Sequence, residues 1–283
     1  VVSGKMSVTH PIPAQERIVI IGAGNMATQL AIALAHARCE IVQIYNRSLA
    51  AAIALQQRLH QDVAVTDKIS EIRNDATLYL FSVSDNALPS IIADMPCNHA
   101  LWVHTAGSME AGIFRDKTPH YGVLYPMQTV HKERETDWCG VPIFIEASDE
   151  PDCTRIEALA TRISGHVIRC DSAQRKAVHL AAVFACNFSN HMYAIAAHLL
   201  EAQGLSFDVM KLLIRETERK AEQMAPIEAQ TGPAIRHDKN VMSKHLALLE
   251  GTPEAALYKL ISLDIERYGQ NKNSCKNNSN NPL

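Results

Sequence analysis

Five absences narrow the class of this protein before any motif is read. No apolar run approaches the roughly 20 residues that a membrane helix needs, so a membrane-spanning protein is not expected. The seven cysteines (Cys39, Cys97, Cys139, Cys153, Cys170, Cys186, Cys275) are odd in number and form no CxxC pair. That pattern excludes a disulfide framework and a cysteine zinc site, and it suits a reducing compartment. Despite 13 histidines there is no HExxH and no compact His/Cys/carboxylate cluster, so no metal is expected. Positive charge is also lacking: the formal net charge is −3, against the concentrated basic surface a nucleic-acid binder requires. Residues Val1 to Gln15 have no charged-then-apolar signal profile and read as a loose leader, 1–16. The expectation is a soluble cytoplasmic protein whose partner is a small molecule.

What is present is an ordinary globular composition, 47% hydrophobic and 20% charged, in 283 residues, enough for two modest domains. Arg17–Gly22 (RIVIIG) is a β-branched run stopped by glycine, the profile of a buried parallel strand. Helical periodicity follows from Asn25 to about Arg38, then a strand at Glu40–Tyr45, a helix at Ala50–Leu59 and a brief strand at Val63–Val65. Thr77–Val83, Ala100–His104, Tyr121–Tyr125, Pro142–Glu146 and His166–Arg169 are further strand segments. The alternation predicts an α/β fold, a doubly wound and mainly parallel sheet over residues 17–170.

After Asp171 strand signals cease. Asp171 or Ser172 can cap a helix that runs without Gly or Pro to Gly204. More helices are predicted at Ser206–Met224, about Asp238–Glu250 and Pro253–Tyr268. An all-helical domain over 171–269 is expected, followed by a polar, low-complexity tail, 270–283, expected to be disordered.

Gly22-Ala23-Gly24-Asn25-Met26-Ala27 reads G-x-G-x-x-A between a strand and a helix. The first glycine permits a tight turn, the second lets backbone approach a pyrophosphate, and the small third residue allows helix to pack on sheet. Free N–H groups and the positive end of the helix dipole then hold phosphate. The turn after the second strand is Asn46-Arg47-Ser48. An NAD site places a carboxylate there for the ribose hydroxyls, whereas a 2′-phosphate is repelled by an acid and attracted by arginine. The cofactor expected is therefore NADP, and the missing acid also weighs against a methyltransferase. Val83 and Ser84, ending the fourth strand, and Thr105, ending the fifth, are expected to flank the ribose and nicotinamide; loop or helix capping is the alternative for Ser84 and Thr105.

On the substrate side, Lys176, His179, Val183, Asn187 and His191 are spaced by 3, 4, 4 and 4 residues and would share one face of an unbroken helix. Histidine titrates near neutral pH, and lysine does so once desolvated, so Lys176 or His179 is the candidate general acid. The alternative is a polar stripe that faces solvent or the other domain. Arg236, in the turn Thr231–Asp238, is a candidate carboxylate clamp, with Asp238 an N-cap. Tyr125 or Gln128, at the end of the sixth strand segment, is a further candidate hydrogen-bonding group.

GAGNMA followed by YNRS resembles pyrroline-5-carboxylate reductase and its relatives among the 6-phosphogluconate and β-hydroxyacid dehydrogenases. HTAGS (His104–Ser108), YPMQT (Tyr125–Thr129), KAVHLAAVFACN (Lys176–Asn187) and TGPAIRHD (Thr231–Asp238) together resemble a bacterial family of NADP oxidoreductases with a Rossmann-like domain and a helical C-terminal domain of unknown function. The resemblance covers residue 17 to about 268. It implies NADP binding through Gly22, Gly24, Asn25, Met26, Ala27 and the Asn46–Ser48 turn, and dimerisation through the helical domain. Two positions depart from it: Tyr125, where the family more often has histidine, and His237, where it more often has glycine. No substrate comes with the resemblance.

The reading is hydride transfer between NADP(H) and a small polar imine, keto or hydroxy compound, in a cleft between the domains. Lys176 or His179 acts as the acid, Asn187 positions the substrate and Arg236 binds a carboxylate. Two alternatives share these motifs: a non-catalytic NADP sensor working through its dimer, and an enzyme with a deazaflavin as second cofactor.

Overall fold

The computed structural model describes the backbone of residues 16–278 and side chains through residue 269; the expected leader, but for its last residue, and the last five residues of the tail lie outside. Eight strands among the described residues form one sheet: β1 (Arg17–Ile21), β2 (Glu40–Tyr45), β3 (Ala64–Thr66), β4 (Leu78–Phe81), β5 (Leu101–His104), β6 (Tyr121–Pro126), β7 (Ile143–Ala147) and β8 (Val167–Arg169). Their order is β3-β2-β1-β4-β5-β6-β7-β8, with every neighbouring pair parallel except β6 and β7. Order reverses between β1 and β4, and this is the switch point at which doubly wound sheets bind ligands.

The central strands are apolar but for Arg17 and His104 at their ends, because helices and loops cover both faces of the sheet. Ile18 and Ile20 of β1, Leu78 and Leu80 of β4, and Leu101 and Val103 of β5 face one side, packed with Leu30 and Leu34 of α1 (Asn25–His36). Val19, Ile21, Tyr79, Phe81 and Trp102 alternate to the other side. There Phe81 lies 5.2 Å from Trp102 and 4.9 Å from Phe114, ring centre to ring centre, an aromatic cluster closed by Leu88 and Ile92. The helix expected from Ala50 is α2 (Leu49–Gln56), capped by Ser48. Two helices of the sheet's unit carry no sequence expectation. α3 (Leu88–Asp94) is seven residues long, too short for a periodic signal. α4 (Glu150–Ala160) starts at an Asp149 cap followed by Pro151, a legible start signal, and seats Ile156 and Leu159 on the first core face.

The chain divides into two compact units, at Ala185/Cys186 rather than near residue 170. The reason lies in α5 (Ser172–Ala182), whose buried Arg175 is bound into the first unit. Asp171 caps α5 in a capping box with Gln174. The expected unbroken helix to Gly204 is in fact α5, a π turn at Val183–Phe188, and α6 (Ser189–Glu201). A π turn takes an extra residue, so the even spacing through Val183, Asn187 and His191 is not one α-helical stripe. Gly204, with φ of 68°, supplies the C-terminal stop as expected, and Leu205 N–H donates to Leu200 O at 3.0 Å.

The helical unit continues with α7 (Lys211–Gln223), α8 (Pro226–Ala229), α9 (Lys239–Leu248) and α10 (Pro253–Asn278). α10 outruns the expected end at Tyr268, so the tail expected to be disordered carries helical backbone through Asn278. Neither Pro nor a further Gly follows Gly269 until Pro282, so no breaker ends the helix sooner. Among the described residues no helix is long and apolar enough to cross a membrane.

Candidate active site

A cavity of about 710 Å³ opens at the carboxyl ends of β1, β4 and β5, lined entirely by residues of the first unit. At one end lies the glycine-rich turn. Gly22 has φ of 119°, and a Cβ there would meet Ser82 O at 2.3 Å, so the fold itself demands glycine. Gly24 differs: a Cβ there meets no protein atom within 4 Å. Its bareness serves close approach from the cavity, since Gly24 is the N-cap of α1 and offers no side-chain cap to the first-turn N–H groups. Those donors and the helix dipole make an anion cradle, and a dinucleotide pyrophosphate fits it. Asn25 and Met26 line the cavity, while Ala27 is buried beneath it, where its small size lets α1 close on the sheet.

The second wall is the β2 turn. Asn46 accepts a hydrogen bond from Ala23 N–H at 3.1 Å and donates to Ser48 O at 3.0 Å, so it fastens the glycine turn to the β2 turn. Arg47 lines the cavity and is exposed, available to an anion. Ser48 is spent elsewhere, capping α2 through Ala51 N–H, and does not line the cavity. Val83, Ser84 and Thr105 all line it, and the Thr105 hydroxyl donates to Ser82 Oγ at 3.1 Å, tying the ends of β4 and β5 together.

The far wall is the loop after β5, facing α5. His104 is fully buried and anchors this loop: its Nδ1 accepts from Ala106 N–H at 3.1 Å, so Nε2 carries the proton toward Glu110 O at 3.2 Å. Burial pushes its pKa down to about 4, keeping it a neutral structural histidine. Gly107 is where the loop meets His179. A Cβ on Gly107 would lie 2.6 Å from the imidazole Cγ and Nδ1, so only glycine lets the ring seat there. His179 Nδ1 is 3.0 Å from the hydroxyl of buried Tyr125, the rings meeting edge to face at 5.8 Å. Both line the cavity, and burial raises the Tyr125 pKa.

Of the candidate acids, His179 therefore reaches the cavity. Lys176 is exposed, ion-paired with Glu110, and absent from the cavity lining. Gln128 is exposed and turns back to accept from its neighbour Thr129 N–H at 2.9 Å. Asn187 and Arg236 belong to the second unit, where both are exposed. Asp238 caps α9 as expected, accepting from Val241 N–H at 3.1 Å. His237 has φ of 55°, a left-handed backbone that favours glycine.

Gly107 is legible in the sequence only as one letter of HTAGS; its role depends on a helix 72 positions later in the chain. His120, Asp149 and Asp152 bring ligand atoms within 4.8 Å of one another. Arg155, Ser148 and His120 already bond the Asp152 carboxylate.

A sheet of this order, with a glycine-rich turn and an arginine-bearing β2 turn at its switch point, defines a Rossmann-type dinucleotide oxidoreductase. The shikimate/quinate 5-dehydrogenase family matches residues 8–89, and a domain of unknown function, DUF2520, matches residues 141–265. A Bacteroides fragilis protein provisionally assigned as an NADP oxidoreductase is 46% identical, covering 89% of this chain and 98% of its own, with a TM-score of 0.82. The chain belongs to that NADP oxidoreductase family. A Thermotoga maritima protein shares the fold at 20% identity and a TM-score of 0.74, over 89% of this chain and 99% of its own. So does a reductive aminase from Aspergillus terreus, solved with NADPH and ethyl levulinate, at 16% identity and a TM-score of 0.67, over 91% and 95%. No curated protein matches the chain.

Proposed function

We propose that the protein uses NADP(H) to reduce or oxidise a small polar imine, keto or hydroxy compound, with His179 supplying or taking the proton. The observation that carries this reading is one cavity with an anion cradle and Arg47 at one end and the Tyr125–His179 pair at the other. NADP(H) fits the residues present: the first turn of α1 takes the pyrophosphate, and Arg47 takes the 2′-phosphate. When bound, the nicotinamide supplies or accepts the hydride. This chain's own groups orient the reactants and place a titratable nitrogen beside them. The Lys176–Glu110 ion pair favours His179 over Lys176 as the proton-handling group.

Asn187 and Arg236 remain the substrate-positioning and carboxylate-binding candidates. Neither makes an ion pair or hydrogen bond among the described residues, which supports their availability. We further assign a homodimer formed through the helical unit, where Leu212, Leu248 and Leu260 are each more than half exposed. A cytoplasmic location accords with six free thiols among the described residues.

The test is titration of the purified chain with NADPH and NADH, repeated with Arg47→Asp. The expected result is preference for NADPH, with NADPH affinity falling by roughly 10–100-fold in the variant, about 1.4–2.8 kcal/mol. Absence of binding to either nucleotide would overturn the reading.

A further inference from the structure

The Tyr125–His179 contact specifies more than proximity, and its chemical meaning rests on the oxidoreductase reading of the site. Tyr125 is buried, and a buried phenol that places its proton on no acceptor is left with a costly unmade hydrogen bond. Among the described residues its hydrogen-bond partner is His179 Nδ1, at 3.0 Å. If Nδ1 carried the imidazole proton, two hydrogens would compete for one contact and the phenol would have no protein acceptor. If Nδ1 is bare, the phenol donates to it and the imidazole proton sits on Nε2. Nε2 has no hydrogen-bond partner among the described residues.

Two further observations fix the ring. Gly107 leaves room for the imidazole where any side chain would overlap Cγ and Nδ1, so the loop lies in close contact with the ring. The charges beside it on α5 are already paired, Lys176 with Glu110 and Arg175 with Glu146. The two carboxylates that line the cavity are engaged or remote: Asp85 accepts from Ser108, and Asp94 is felt at Tyr45, by the β2 turn. No carboxylate among the described residues is placed to hold the imidazole in its charged form.

We propose that Tyr125 is a positioning residue that holds His179 as a neutral imidazole protonated on Nε2, directed at the oxygen or nitrogen of a C=O or C=N substrate. In this arrangement His179 is an uncharged hydrogen-bond donor, suited to a neutral acceptor atom that gains negative charge as its carbon is reduced. The proton delivered is made good by solvent. The Nε2–H bond breaks as the substrate O–H or N–H forms, the Tyr125 proton moves to Nδ1, and it returns to the phenolate as Nε2 takes a proton from solvent, which restores the starting tautomer. Arg175, whose charge favours the Tyr125 anion, eases that transient state. A phenol has one proton to donate and so dictates the tautomer of its partner, whereas a second imidazole can donate or accept.

The experiment is 15N NMR of the full chain labelled in its imidazole rings, without nucleotide, at a pH where histidine is neutral. The His179 signals are assigned by their loss in His179→Gln. The expected result is Nδ1 at the unprotonated position and Nε2 at the protonated one, shifting toward an average of both tautomers in Tyr125→Phe. A ring protonated on Nδ1, or a Tyr125→Phe spectrum unchanged from the parent, would overturn the proposal. Thermal unfolding of Tyr125→Phe checks that the variant folds, and Tyr125→His serves as a second variant in which tautomer control is also expected to be lost. NADPH titration of the same samples separates the two levels. An Nε2–H ring in a chain that binds no NADPH removes the oxidoreductase reading, whereas NADPH binding with the wrong tautomer removes only the role of Tyr125.

Discussion

The two units of this chain bury their apolar side chains to very different degrees. In the α/β unit every residue of β4 and β5 is buried, and two core clusters fill the two faces of the sheet. In the helical unit Ala234 and Leu249 are buried, while Leu248 is 83% and Leu212 77% exposed. A sheet covered on both faces closes its core within one chain. The helices of the second unit leave large apolar residues on their outer faces. The lesson is that the first unit closes its core with its own residues, whereas the second leaves much of its apolar surface open.

Substitutions can break this contrast, and the largest effects are expected in the closed core. Trp102→Ala removes the centre of the aromatic cluster and should cost about 3–5 kcal/mol in urea unfolding. Leu212→Ala should cost within about 0.5 kcal/mol in a monomer. A concentration-dependent loss of several kcal/mol there would show that a second copy covers it.

Next comes the link between α5 and the sheet. Arg175 is fully buried, bonded to Glu146, Met109 O and Ser172, with its Nε unpartnered. Arg175→Ala strands Glu146 and should cost about 3 kcal/mol by chemical denaturation. The looser α5 should also displace His179, read as weaker protection of its ring in proton exchange.

His104 sharpens the comparison by pH. Its folded pKa, about 4, lies below the ordinary histidine value of 6.5, so the native state disfavours its protonation. The stability this contributes is fully present above pH 6.5 and is lost as pH falls from there toward 4, about 3 kcal/mol in all. Unfolding of the α/β unit followed from pH 7 to 4 should show this loss, and His104→Gln should flatten it. A slope unchanged in that variant would assign the acid sensitivity to other groups.

The smallest effect should come from His237, left-handed at φ of 55° and near Glu266 at 3.7 Å. His237→Gly should stabilise the helical unit by about 1 kcal/mol, less whatever the exposed ion pair contributes. Destabilisation would mean that the Glu266 contact outweighs backbone strain.

Much of the α/β unit is legible in the sequence because its signals are local. A β-branched run stopped by glycine is a buried strand, and G-x-G-x-x-A at that boundary is a phosphate turn wherever the strand lies in the sheet. Asp171 and Asp238 are legible caps for the same reason, since a cap bonds backbone two or three positions away. α4 escapes a reading by periodicity although Asp149-Glu150-Pro151 announces its start, and α3 is too short to show a period. The stripe from Lys176 to His191 misleads because spacing assumes an unbroken α-helix, and the π turn at Val183–Phe188 changes that spacing.

By itself, then, the sequence determined the order of the strands and of the longer helices, the glycine-rich turn and the absence of an acid beside Arg47. These depend on residue types within a few positions of one another, and backbone geometry carries them intact into the fold. Only the tertiary structure showed that His179 and Tyr125 line the cavity, while Lys176 is spent on Glu110 and Gln128 on a neighbouring N–H. It also revealed that Gly107 exists for His179, because a contact between a loop and a helix 72 residues further along leaves no periodic trace in the chain.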